Sequence, residues 1–106
     1  MTPFVPRLSQ TVPTLIAAAG EQASLRFLEF FAAEIRNPHT RRAYVRAAGE
    51  FLAWCEVAGV ASLTAVQPLH VATWIEGLTR SHTAPTVKQR LAAVRHLFDW
   101  LWWWAR

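Results

Sequence analysis

Two stretches of this sequence gather hydroxyls and cations at what reads as the start of a helix. The first is His39-Thr40-Arg41-Arg42-Ala43-Tyr44-Val45-Arg46, and the second is Thr83-Ala84-Pro85-Thr86-Val87-Lys88-Gln89-Arg90. A helix's first turn leaves backbone N–H groups unpaired and carries the positive end of the dipole, so it favours an anion. Thr40 falls in that turn, while Arg41, Arg42 and Arg46 oppose the dipole. A phosphate backbone would compensate them. Arg42 and Arg46, four residues apart, share a face. The bland reading is a solvated face in which Arg46 pairs with Glu50 one turn on.

In the second stretch Thr86, Gln89 and Ala93 lie on one helical stripe. Glutamine can read an adenine edge with two hydrogen bonds, hydroxyls and cations hold phosphates, and a small residue permits close approach to a groove. Lys88 and Arg95 fall on another side, nearer Asp99, and Arg90 lies close to the apolar stripe, where it can snorkel or bond internally. Ordinary capping with surface charge competes evenly with a binding role for this helix alone. Two helices that both open with Thr and Arg or Lys point together to duplex DNA.

Other candidates carry less chemistry. His39, His70, His82 and His96 sit on different helices and loops without acidic or cysteine company, so capping and surface roles are expected rather than a metal or a catalytic base. Cys55 is the only cysteine, which excludes an internal disulfide framework and a cysteine-only zinc site. Tyr44, the only tyrosine, occupies an inward position and reads as core. No cofactor and no metal are expected.

Composition sets the frame for these sites. The chain has 106 residues, 53% hydrophobic and 17% charged, enough apolar surface for one ordered domain. Lys and Arg total 11 against 7 Asp and Glu; ten of the eleven cations are arginines and Lys88 is the only lysine. A net charge of +4 favours an anionic partner only weakly, so the distribution carries that argument. No run approaches the length of a membrane span, and the apolar segment Leu15–Ala19 is too short for an export core. A cytoplasmic protein is expected.

Apolar spacing is helical throughout, and hairpin signals are absent. The expected fold is all-α: a compact four-helix bundle with room for a short extra N-terminal helix. The first helix is expected over 21–36, with Phe27, Leu28, Phe31, Ala32 and Ile35 inward and Phe30 off the stripe, where it can meet a different neighbour. The second opens at Asn37-Pro38 and stops near Gly59, carrying Tyr44, Ala48, Phe51, Leu52 and Cys55 inward. A third starts near Gln67-Pro68 with Val71, Trp74, Ile75 and Leu78. The fourth begins around Thr83–Pro85 and carries Val87, Leu91, Val94, Phe98 and Leu101. Residues 1–12 read as an irregular arm, 13–101 as the helical domain and 102–106 as a Trp-rich tail.

Three blocks early in the chain, Phe27–Phe31, Asn37–Tyr44 and Phe51–Cys55, and a later one, Ala84–Leu101, follow one another in an order and spacing that resembles a known family. It is the core-binding, SAM-like domain at the N-terminal side of tyrosine recombinases, the phage-integrase family, and the resemblance covers about residues 13–101. It implies a small helical bundle that clamps one face of a DNA duplex while a separate catalytic domain closes over the other. By position, Thr40 and Thr86 resemble phosphate-contacting hydroxyls. Arg41, Arg42 and Arg46 resemble groove and backbone cations, Gln89 the best base-edge candidate, and Lys88 and Arg90 further DNA-binding positions.

The family's chemistry needs a tyrosine nucleophile and an arginine-rich set with a His-x-x-Arg pair. The His39–Arg42 match lies two residues from Tyr44, too close for that arrangement, so a chain truncated before its catalytic domain is expected. Residues 102–106 depart from the family pattern, and their tryptophans are expected to promote self-association. The rival reading is a small all-α protein-interaction module with no DNA role, using Phe30 and the tryptophans as its partner surface.

Overall fold

A computed structural model describes residues 12–105, with side chains described as far as Trp102. Five α-helices occur among the described residues: α1 (Thr14–Ala18), α2 (Glu21–Glu29), α3 (Pro38–Val57), α4 (Pro68–Leu78) and α5 (Ala84–Ala105). A π-helical turn, Phe30–Glu34, continues α2, and a 3-10 turn, Leu63–Ala65, leads into α4. The fold is all-α, and no strand occurs among the described residues. The extra N-terminal helix is α1, which buries Leu15 and Ile16. Of the expected arm, residues 1–11 lie outside the described residues, whereas Val12 belongs to the core.

The first expected helix needs a correction. Regular α geometry stops at Glu29, and Ile35 N–H then donates to Phe30 O at 3.0 Å, an i to i+5 bond that fits one extra residue into the turn. That extra residue rotates the following side chains. Phe30, expected off the stripe, is 0% exposed, and Phe31 is buried beside it. Ala32, expected inward, faces solvent. Phe30 meets Phe31, His96 and Trp100 ring to ring, with centroids 4.9, 5.0 and 6.1 Å away. Each such aromatic pair adds about 0.5–1.5 kcal/mol beyond area burial. Phe30 itself precedes the extra residue and follows Ala23 and Phe27 at ordinary helical spacing, so its burial continues the stripe of α2.

Helix α3 begins where Asn37 caps it: the Asn37 side-chain oxygen accepts from His39 N–H at 2.9 Å and Thr40 N–H at 3.1 Å, with Pro38 in the first helical position. It ends before Gly59, whose φ of 88° is open to glycine without steric cost. Ala47, Ala48, Phe51, Leu52 and Cys55 are buried along it. Helix α4 opens with a reciprocal cap between Gln67 and His70, and Gln67 N–H donates to His70 Nδ1 at 2.8 Å. Its Trp74 reaches the core beside Phe51. Helix α5 buries Ala93, Val94, Leu97 and Leu101 and continues past Leu101 through the tail to Ala105.

Two polar contacts tie α5 back to α2 and the turn that continues it. Trp100 Nε1 donates to Arg26 O at 2.9 Å while the Arg26 guanidinium lies 3.5 Å from the centre of the Trp100 ring. A partly desolvated cation over an indole contributes about 0.5–2 kcal/mol. His96 Nε2 lies 3.1 Å from a Glu34 carboxylate oxygen. No helix among the described residues is long and apolar enough to cross a membrane.

Candidate nucleic-acid interface

The two helices that open with hydroxyls and cations are also the two that pack most extensively together, α3 and α5. Their side-chain contacts run from Tyr44 with His96, centroids 6.1 Å apart, to Glu50 with Arg90, 3.3 Å between charged atoms. Midway along each segment stands an alanine, Ala47 and Ala93, both 1% exposed. The two contacts run in antiparallel order and bracket both alanines, which puts the crossing near them.

Thr40 stands seven residues before Ala47, and Thr86 stands seven before Ala93. Seven residues are almost two full turns, so each threonine lies on the face its helix turns toward the other, about 10 Å from the crossing. Both N-terminal turns overhang the crossing equally. With helix axes about 8–10 Å apart, the two threonines lie within roughly 25 Å of each other. One turn of B-DNA spans about 34 Å, so a single duplex face can meet both.

The expected residues divide by what holds them. Thr40 is half-buried, and its N–H is occupied by Asn37. Arg41 is half-buried and its Nε donates to Ile35 O at 3.0 Å, which staples the turn leading into α3. Arg42 is exposed and meets only His39 Nδ1, at 2.9 Å. Arg46 is exposed and pairs with Glu50 at 3.1 Å, the contact that the bland reading anticipated. Thr86 is half-buried and accepts from the Thr83 hydroxyl at 3.1 Å. Lys88 and Gln89 are exposed. By helical rotation Lys88 sits about 160° from Arg90, on the outer side of α5, whereas Gln89 sits beside Ala93 on the crossing side.

Arg90 departs from the rest of the set. It is 7% exposed, turned inward against Glu50 rather than outward to a ligand. A buried guanidinium needs an opposing charge, and Glu50 supplies it across the helix crossing. Its Nε is nevertheless left without an aligned hydrogen bond.

Sequence reasoning missed Arg36 and Arg80. Both are exposed, Arg36 just before the Asn37 cap and Arg80 in the turn leading to α5, and neither has an acidic partner among the described residues. Their position beside a helix start was the available signal. Three histidines have local partners, His39 on Arg42, His70 in its cap and His82 on Ser81, whereas His96 meets Glu34 from another element, acidic company not expected from the sequence. Among the described residues no group of three or more His, Cys, Asp or Glu converges. Burial pushes the Cys55 thiol up to about 11.

Fold and site together define a small helical bundle with two basic, hydroxyl-bearing helix starts on one crossing. Residues 25–104, three quarters of the chain, match the phage integrase N-terminal SAM-like domain, and the chain belongs to that family. The match runs three residues beyond Leu101 and so takes in Trp102–Trp104. No catalytic domain of the family matches. No curated protein and no solved structure matches the chain.

Proposed function

We propose that this chain is the DNA-clamping, core-binding domain of a site-specific tyrosine recombinase, acting on double-stranded DNA in the cytoplasm and lacking catalytic residues of its own. The observation that carries the reading is that two Thr-bearing helix starts belong to the most extensively packed pair of helices, α3 and α5, with the exposed cations Arg36, Arg42 and Lys88 close to those starts. In this reading Thr40 and Thr86 bind phosphates through their hydroxyls, and Arg42, Arg46 and Lys88 add backbone contacts. Gln89, exposed beside the small Ala93, reads a base edge. Arg41 and Arg90 act indirectly, holding the start of α3 and the crossing in place.

The protein-interaction alternative loses one of its two surfaces, because Phe30 is fully buried. Titration with duplex DNA at about 50 and 200 mM salt separates the two readings. A DNA clamp binds and loses affinity steeply with salt, without forming a covalent protein–DNA product. An interaction module shows little binding and little slope.

A further inference from the structure

One carboxylate at the helix crossing serves two guanidiniums. Glu50 Oε2 lies 3.1 Å from Arg46 Nε, and its Oε1 lies 3.3 Å from Arg90 Nε. The two arginines differ sharply in setting: the Arg46 side chain is 72% exposed and that of Arg90 8%. Glu50 itself is half-buried, on the face of α3 that meets α5. Acid beside a surface that meets a polyanion costs affinity, because it repels phosphate and occupies a cation that phosphate would otherwise take. Charge balance for Arg90 accounts for one oxygen only. The other is spent on an arginine that water already solvates.

We infer that Glu50 competes with DNA phosphate for Arg46 and so lowers the affinity of the clamp for duplex DNA. This inference rests on the DNA-clamping reading above. In the free protein Arg46 is held along α3 by Glu50. On DNA its guanidinium transfers to a phosphate, while Glu50 stays with Arg90, so the buried cation never loses its partner. The pair must be broken each time Arg46 engages a backbone, which lowers affinity for every sequence alike. An exposed ion pair of this kind is worth about a factor of 1.5 to 5 in an equilibrium constant.

The test is a double-mutant cycle on the full chain: wild type, Arg46→Ala, Glu50→Gln and the combined variant, each titrated by fluorescence anisotropy with a labelled duplex of mixed sequence. Glu50→Gln is expected to bind more tightly than wild type. Arg46→Ala is expected to weaken binding by a factor about 1.5 to 5 larger in the Glu50→Gln background than in wild type. General repulsion between Glu50 and phosphate is independent of Arg46 and cancels in the cycle. An equal loss in both backgrounds, with wild type binding in a salt-dependent way, overturns the competition while leaving the clamp intact. Wild type that fails to bind duplex at all removes the clamp and this inference together. If loss of Glu50 unfolds the chain, as melting by circular dichroism would show, the cycle is repeated in an Arg90→Met background, where no buried cation needs a partner.

Discussion

Gln89 and Lys88 are neighbours in sequence and opposites in setting. Gln89 shares the crossing side of α5 with Ala93, and Lys88 points away from it. Gln89→Ala should therefore cost about 1–3 kcal/mol at a single base position and relax the preference there, measured on duplexes selected from a random pool. Lys88→Ala should weaken all sequences equally. Uniform loss from both would reduce Gln89 to a backbone contact. Cys55 offers a test of the core at the same scale. Its thiol is pushed up to about 11 from an ordinary value of 9.0 by burial. The unfolded chain ionises first, so stability holds below pH 9 and falls as pH rises from 9 toward 11. At neutral pH the folded thiol should react with a maleimide far more slowly than the denatured one.

Between residue and molecule stand the elements, and here the π-helical turn matters most. It opens with Phe30 and Phe31 side by side in the core, against the α5 residues His96 and Trp100. Phe30→Ala should cost about 3–5 kcal/mol in denaturant unfolding. A loss below about 1 kcal/mol would contradict the place of Phe30 at the centre of the core. This turn also marks how far the sequence is legible. Asn37-Pro38, Gln67-Pro68 and Gly59 punctuate the chain through local hydrogen bonding and φ preference, and the helix boundaries follow them. A 3.6-residue period cannot announce an i to i+5 turn, so it puts Ala32 inward, whereas Phe30 follows Ala23 and Phe27 at regular spacing and is within reach of that period. The Arg46–Glu50 pair is readable because both residues lie on α3. The Glu50–Arg90 pair is not, because it exists only once α3 and α5 cross; the angle of Arg90 near the apolar stripe announces its inward turn but not its partner.

At the scale of the whole molecule, the tail and the clamp make separate demands. Leu101 is buried while Trp102 is 63% exposed, so the inward anchoring of α5 weakens at that step. Indole surface of this kind favours association. Ending the chain after Leu101 should reduce self-association in sedimentation velocity while leaving DNA affinity and secondary structure in place, since Val94, Leu97 and Leu101 still anchor the helix. Unfolding of the shortened chain would show that Trp102–Ala105 belong to the domain, in keeping with the extent of the family match. The central claim is that the helix starts neutralise phosphates, and the salt dependence of duplex binding reads that directly. In the double variant Arg42→Ala/Arg46→Ala two phosphates go unneutralised. The slope of log K against log salt should then fall in magnitude by about 1.8 relative to wild type, while the melting transition is retained. A folded double variant with the wild-type slope and affinity would contradict the account.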